Sequence, residues 1–252
     1  MMSNVQSIDR ALNLLELISH HSPISLNELV AKTQLSKTTV HRLVKSLIDN
    51  YYVKQNPLTH QYELTYKLFQ LGYSSIKNID YLNIAKSFIS QLSFTVNETC
   101  HLVIEDKNEI LYIEKFIPND AIYTMASKIG LRAPMYCTAV GKAILSKYDD
   151  YTIQAVWNNS EIIPYTKHTI TNFDDFMEEI EMIRKQGYAE DKQENEEGIY
   201  CVGTYFVNYR NEVQGAISLS FSTSQLPKKE FYITQLQTTA NNISKNLGFI
   251  NS

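Results

Sequence analysis

The chain has 252 residues, 44% apolar and 20% charged, which is enough apolar surface for the cores of one or two domains and excludes a disordered or fibrous protein. No run approaches the roughly eighteen apolar residues of a membrane span, and the start lacks a basic, then apolar secretory leader, so we expect a cytoplasmic protein. The net charge of −4 is unevenly distributed: residues 1–75 carry seven Lys or Arg against five acids, whereas the remainder carries 16 against 22, which indicates different partners for the two parts.

The first part of the chain has the pattern of three short helices. Apolar residues at helical spacing predict a helix over residues 7–20. Ser25 and Glu28 have the spacing of a capping box, which predicts a short second helix. Ser36 is placed to cap a third helix that reaches Ile48. Because only a brief connection separates the last two helices, they form a helix-turn-helix.

Extended segments follow the third helix. Two β-rich runs, residues 51–53 and 62–64, flank turn-forming residues 56–60, which predicts a hairpin. Beside a helix-turn-helix this hairpin is a wing. A helix over 66–73 closes the module, and apolar spacing over 81–94 predicts a helix that links two domains.

From residue 98 onward the pattern changes to strands interrupted by helices. Strands are expected at 99–105, 110–116, 122–125, 199–209 and 213–221. Helices are expected at 139–148, 150–158, 173–186 and 227–248. This order predicts an α+β domain with a mainly antiparallel sheet. The expected organisation is a DNA-binding domain over 1–77, a linker helix over 78–97 and a second domain over 98–252.

The third helix carries bases and hydroxyls away from its apolar stripe, with no acid before Asp49. Phosphates bind such groups, and base edges are read near the N-terminus of a recognition helix. A solvated helix face is the alternative, but the capped preceding helix, the short turn and the wing favour DNA binding. The candidate DNA-binding residues are Ser36, Lys37, Thr38, Thr39, His41, Arg42 and Lys45.

Several runs resemble one known family over nearly the whole chain. SIDRALNLLELI, ISLNELVAKTQLSKTTVHRLVKSL and the wing resemble the winged helix-turn-helix of IclR-family bacterial transcription regulators. GLRAPMYCTAVGKAIL, GYAEDKQENEEGIYCVG and GAISLSFS resemble the second half of that family, in the same order. The sequence departs from the family pattern at Ser36, where proline is frequent, at Lys192 and Gln193, where acids are common, and at Tyr200, where arginine is common.

The resemblance implies a GAF-like C-terminal domain that binds a small organic or sugar-derived acid. The implied effector-binding residues are Ile122, Met125, Ala133, Ala139, Val140, Asp191, Cys201, Ser218 and Ser220. A helix that opens near Thr138 would offer N–H groups to a carboxylate, and the two serines share one face of a strand. The alternatives are a solvated loop for the acids of 190–197, a core position for Cys201, and serines bonded within the sheet.

These observations predict a regulator, acting as a repressor, that binds a palindromic DNA operator as a homodimer or homotetramer under the control of a small acid. The alternative is a DNA-binding interaction protein whose C-terminal domain only oligomerises. No local spacing joins Cys137 or Cys201 to His101 or His168 as a nucleophile and base, so we do not expect an enzyme. The cysteine spacing and the acidic run, with Glu196 where a calcium loop needs glycine, predict no metal, and no cofactor motif is present.

Overall fold

The computed structural model describes residues 5–76, 80–118 and 127–250. The chain divides into two compact units, residues 1–79 and 80–252. The first unit is a winged helix-turn-helix and the second is an α+β domain with an antiparallel sheet, which confirms the predicted fold class. The strand expected at 122–125 lies outside the described residues.

The first unit contains four described helices and one hairpin. They are α1 (Gln6–His21), α2 (Leu26–Thr33), α3 (Lys37–Asp49), β1 (Val53–Gln55), β2 (Tyr62–Leu64) and α4 (Lys67–Ile76). β1 and β2 pair antiparallel, and Ile24 and Tyr62 exchange two backbone hydrogen bonds that tie the hairpin to the segment before α2. Apolar side chains from α1, α2, α3 and both strands form one core, which includes Leu14, Leu29, Val40 and Val53.

Local capping explains where the two central helices begin. Ser25 accepts from the backbone N–H of Glu28, whose carboxylate accepts from the N–H of Ser25 at 2.8 Å, so the predicted capping box is present. Ser36 caps α3 by accepting from the N–H of Thr39 at 3.3 Å. Gln34, in left-handed conformation, ends α2 and turns the chain toward α3.

Within its described residues, the second unit has a six-stranded sheet in the order β5-β4-β3-β8-β7-β6, antiparallel throughout. Its elements are α5 (Asp80–Val96), β3 (Thr99–Asp106), β4 (Glu109–Phe116), β5 (Arg132–Pro134), α6 (Ala139–Leu145), α7 (Asp150–Asn159), α8 (Phe173–Gln186), β6 (Ala189–Lys192), β7 (Ile199–Val207), β8 (Val213–Ser222), a 3-10 helix (Thr223–Lys228) and α9 (Lys229–Asn246). α5 was expected to be a linker helix, and it packs against α9 and β3 of this unit.

Two strands that the sequence did not predict lie at the two edges of this sheet. β5 is three residues long and contains Pro134, and β6 is the charged run Ala189–Lys192. Edge strands tolerate proline and charge, and such short, charged strands carry little local β-propensity. β6 forms because β7 pairs with it, with Asp191 opposite Cys201.

Helices cover both faces of the sheet. Phe221 of β8 packs against Tyr232 of α9, with ring centroids 4.8 Å apart. Ser218 and Ser220 alternate with Phe221 along the strand, so they point to the opposite face, where α6 lies. On that face Trp157 of α7 lies among the rings of Tyr136, Phe173 and Phe176.

In the second unit, the end of α6 and the start of α9 differ from the predicted bounds. The helix expected at 139–148 ends at Leu145, because the N–H groups of Lys147 and Tyr148 bond carbonyls three residues earlier instead of four, and the chain then turns toward α7, which Asp149 caps. The helix expected from residue 227 begins at Lys229, because Pro227 lies in the preceding 3-10 helix.

Candidate DNA-binding face and ligand cavity

Helix α3 presents its basic face to solvent. Lys37, Thr38, His41 and Arg42 are exposed, while the opposite side packs in the core of the first unit. The wing tip is ordered by Asn56, whose side chain accepts from the N–H groups of two following residues. These features give the first unit a basic helix flanked by a hairpin, the arrangement that enters a major groove.

Three of the predicted DNA-binding residues have additional partners. The hydroxyls of Ser36 and Thr39 are 2.8 Å apart, and Thr39 is half-buried, so both serve the helix cap. Lys45 pairs with Asp49 at 3.2 Å, with both side chains more than half exposed. An exposed pair of this kind contributes little to stability, and Lys45 can exchange Asp49 for a phosphate.

The second unit has a cavity between its sheet and the first turn of α6, with an atom-free volume of about 430 Å³ that includes the solvent at its mouth. The described residues that line it are His101, Tyr112, Ser127, Thr138, Ala139, Val140, Asp191, Asn195, Glu196, Ile199, Cys201, Ser218 and Ser220.

Six of the nine predicted effector residues line this cavity: Ala139, Val140, Asp191, Cys201, Ser218 and Ser220. Ala133 is not among the described lining residues. It lies on β5 opposite Ile110 and packs against the core. Ile122 and Met125 lie outside the described residues. Among the lining residues that the sequence did not predict, His101 and Tyr112 come from β3 and β4, whose register no local pattern specifies.

Gly203 allows α6 to approach the sheet closely. A Cβ at Gly203 would lie 2.7 Å from the carbonyl carbon of Ala139 and 2.8 Å from the N atom of Val140. The first turn of α6, whose N–H groups have no partners within the helix, therefore lies directly over β7. Because α6 has only seven residues, any anion there would depend on these individual N–H groups more than on a long helix dipole.

Asp191 is buried in the cavity wall, with 4% of its surface exposed. Its Oδ1 accepts from the N–H groups of Glu194 and Asn195, at 2.6 and 3.3 Å. Burial and the neighbouring Glu194 raise the pKa of Asp191 to about 7, although Lys142 and these hydrogen bonds oppose the shift. Glu190 and Glu194 are buried as well, so the alternative of a solvated loop is wrong for these three acids, whereas Glu196 is half-buried and Glu197 is exposed.

Behind the cavity a buried cluster of charges joins α6, α8 and the loop between β6 and β7. Lys142 of α6 is fully buried, and its Nζ lies 2.6 Å from Glu194 Oε1 and 3.4 Å from Glu179 Oε1 of α8. Burial alone would lower the pKa of Lys142, but attraction to Glu194 and Glu179 raises it, so the ammonium stays charged. Among the described residues, Glu194 Oε2 is a buried oxygen without a hydrogen-bond partner.

Polar side chains on the sheet form the floor of the cavity. Cys201 Sγ lies 3.0 Å from Ser220 Oγ, and Ser218 and Ser220 lie 3.4 and 3.5 Å from His101 Nδ1. The serines thus contact neighbouring strands and also line the cavity. Cys201 is half-buried at its wall.

The cysteines of the second unit do not have the environment of nucleophiles. Burial raises the pKa of the Cys137 and Cys201 thiols, and Asp191 raises both further, so both are protonated at neutral pH. His168 is exposed, whereas His101 contacts serines. Among the described residues, no cluster of three or more His, Cys, Asp or Glu side chains has a metal-binding arrangement. None of the described helices has the length and hydropathy needed to cross a membrane.

Comparison with known proteins links both units to transcription regulators. Residues 7–57 match the family described as the IclR helix-turn-helix domain, and residues 73–245 match the bacterial transcriptional regulator IclR C-terminal family. The chain is 32% identical over 250 residues to the HTH-type transcriptional regulator KdgR of Dickeya chrysanthemi, covering 98% of this chain and 81% of that protein. It is 31% identical over 250 residues to the DNA-binding transcriptional repressor YiaJ of Escherichia coli, covering 97% and 88%.

A solved structure supports the same relationship. The IclR protein of Thermotoga maritima superposes with a TM-score of 0.83 at 28% identity, covering 98% of this chain and all of that one.

Proposed function

Because the chain belongs to the IclR family of bacterial transcriptional regulators, we propose that it is a repressor whose affinity for a palindromic operator is controlled by a small organic or sugar-derived acid. We assign DNA binding to residues 1–77, and ligand binding and oligomerisation to 98–252, with residues 78–97 between them. The exposed basic face of α3 beside a wing is the observation that carries the DNA-binding assignment. The related protein YiaJ is a transcriptional repressor, which supports repression over activation as the proposed role.

Arg42→Ala is expected to weaken specific DNA binding by about 1–3 kcal/mol, because an exposed arginine in the first turns of a recognition helix can make two hydrogen bonds to one guanine. The measurement is fluorescence anisotropy of the full chain with a duplex selected from a random DNA library. Lys45→Ala should mainly lower the salt slope, by about one for each protomer bound to the operator, because a phosphate contact releases counterions.

Lys185→Ala is the matched control, since it removes one exposed charge from the last turn of α8 in the other unit.

A homo-oligomer should bind a palindromic duplex more tightly than a duplex with one half-site. Unchanged affinity in Arg42→Ala, with a native circular dichroism spectrum, would contradict the assignment of α3.

The ligand proposal rests on the cavity beside α6. A ligand carboxylate would accept hydrogen bonds from the N–H groups of Ala139 and Val140, and ligand hydroxyls would bond Asp191, Ser218 and Ser220. With a pKa near 7, Asp191 can accept or donate a hydrogen bond at neutral pH. Effector and DNA affinities should be coupled by about 1–3 kcal/mol, the usual range for two linked sites.

Asp191→Asn and Ser218→Ala are each expected to reduce effector affinity by about 1–3 kcal/mol while leaving effector-free DNA binding unchanged. Asn retains the oxygen that accepts from the N–H groups of Glu194 and Asn195, so the loop should keep its conformation. Thermal shifts of the full chain against a panel of small acids would identify the ligand, because a ligand selective for the folded state raises stability. Calorimetry would then measure both variants.

Full affinity in both variants would place the ligand elsewhere. A panel without any shift would favour the alternative in which the C-terminal domain only oligomerises.

A further inference from the structure

The tip of the wing lacks the side chains that bind DNA phosphates most strongly. Residues 55–62 contain neither lysine nor arginine in their sequence. Lys54, just before the tip, pairs with Glu63 of the opposite strand at 2.9 Å. The tip therefore differs from the exposed face of α3, which carries lysine and arginine, and charge neutralisation does not explain what the tip contributes to DNA binding.

The side chain that the tip exposes most is Leu58. Its surface is 89% exposed, the highest value among the large apolar side chains of the described residues. Pro57 precedes it and restricts the backbone. Asn56 Oδ1 accepts from the N–H groups of Leu58 at 2.9 Å and of Thr59 at 3.2 Å. An apolar side chain is thus presented at the end of a hairpin by a turn with its own hydrogen bonds.

Further hydrogen bonds across the hairpin fix the tip. The N–H of Asn56 donates to the carbonyl of Gln61 at 2.8 Å, and the N–H of His60 donates to the carbonyl of Asn56 at 2.9 Å. The side-chain amide of Gln55 donates to the carbonyl of His60, also at 2.9 Å. Because the tip is ordered in the free protein, Leu58 contacts a partner without the entropic cost of ordering its loop.

The minor groove beside α3 is the DNA surface that suits such a tip. With α3 in the major groove, a hairpin at its side meets the adjacent sugar-phosphate backbone and the minor groove. Phosphates offer an apolar side chain no favourable contact, whereas base steps in the minor groove accept leucine as a wedge that partly separates two base pairs. That separation costs least at the flexible TA and CA/TG steps.

We propose that Leu58 is a specificity-determining residue that enters the minor groove beside each half-site and selects a deformable base step there. This inference rests on the proposed DNA-binding role of α3 and adds a second kind of sequence reading to it. α3 reads the edges of bases, whereas Leu58 responds to how easily a base step unstacks. The selected step therefore lies outside the bases that α3 contacts.

The test uses the full chain and an operator selected from a random DNA library, with an A-tract placed beside each half-site. A single TA step is moved through the A-tract one base pair at a time, so the base composition stays constant while a flexible step replaces a stiff one. In fluorescence anisotropy, we expect the wild-type chain to prefer one position of this step by at least about tenfold over the uninterrupted A-tract, the usual effect of one base pair.

Leu58→Ala should lose this preference and keep the wild-type affinity for the uninterrupted A-tract, which shows that the variant is folded. Leu58→Met is the conservative variant, because methionine keeps an apolar side chain of similar volume, and it should retain the preference. Tyr151→Ala is the matched control, since it removes a side chain that is 86% exposed from the second unit. A 2-aminopurine at the preferred step should brighten with the wild-type chain and not with Leu58→Ala, because only a wedge unstacks it.

The outcomes separate this inference from the assignment of α3. Arg42→Ala should weaken binding to all of these duplexes by a similar factor and leave the step preference in place. A preference that survives in Leu58→Ala, or a wild-type chain without any preference, would overturn the role of Leu58 and leave the assignment of α3 intact. A selection that yields no operator would overturn both.

Discussion

Lys142→Met is expected to lower the free energy of unfolding of the full chain by about 3–5 kcal/mol, the range typical for removing one partner of a buried ion pair. The ammonium is fully buried and lies 2.6 Å from Glu194, which has one oxygen already without a partner among the described residues. Methionine nearly preserves the volume of the side chain, so the lost free energy of unfolding reflects the removal of the charge and not a change in packing. Urea denaturation followed by circular dichroism would give the value.

Lys192→Met is the matched control. Lys192 also contacts Glu179, at 3.4 Å, but its side chain is 47% exposed, so its loss should cost less than about 1 kcal/mol. The double variant Lys142→Met/Glu194→Gln should recover part of the stability, because it removes the carboxylate that the single variant leaves unpaired. If Lys142→Met and Lys192→Met lower the free energy of unfolding equally, burial does not determine how much each lysine of this cluster contributes to stability.

The loss in Lys142→Met should also depend on pH. Burial already raises the pKa of Glu194, while Lys142 opposes that shift. Without the ammonium, the pKa of Glu194 rises further above its unfolded value, and the folded chain binds more protons than the unfolded chain over that interval. Stability then falls as pH rises, so the deficit of the variant should be smaller at pH 5 than at pH 8.

Gly203→Ala is expected to cost about 3 kcal/mol of stability, the upper end of the range for overpacking, and to weaken effector binding. The added Cβ would meet backbone atoms of Ala139 and Val140, which cannot rotate away as a side chain can. Relief requires the first turn of α6 to move off β7, and that turn forms one wall of the cavity. Denaturation and calorimetry on the same variant would measure both effects.

Gly72→Ala is the matched control for this substitution. It lies in α4, where an added Cβ has no neighbour within 4 Å among the described residues, and alanine favours a helix over glycine by up to about 1 kcal/mol. Stability should therefore be unchanged or slightly raised. If Gly203→Ala is as stable as Gly72→Ala, α6 can move away from β7 without lowering the free energy of unfolding.

The sequence predicts those features that depend on neighbouring residues. Ser25 and Ser36 act as caps within one turn, so the two helices of the helix-turn-helix are recognisable without the rest of the fold. The α+β class follows in the same way from the order of the elements. The strands at the sheet edges cannot be predicted from the order of the elements. β6, for example, is a charged run that becomes a strand only by pairing with β7.

The cavity depends still more on pairing between distant segments. Ser218 and Ser220 could be placed on one face from their spacing alone, but His101 is more than a hundred positions away and joins them through the β3–β8 register. The burial of Asp191 is likewise a property of the folded unit, since its local sequence is that of an exposed acidic loop. The resemblance to a family predicted Asp191 as a residue of the ligand site, but it did not predict His101.

Trp157 is the one tryptophan of the chain and lies in the aromatic cluster of the second unit, with its ring 4.8 Å from that of Phe176. Its emission therefore reports the unfolding of the second unit, whereas circular dichroism records helices of both. A difference between the midpoints of the two signals would show that the winged helix-turn-helix melts separately from the ligand-binding unit. The protein thus has a built-in optical probe that distinguishes its two units without any label.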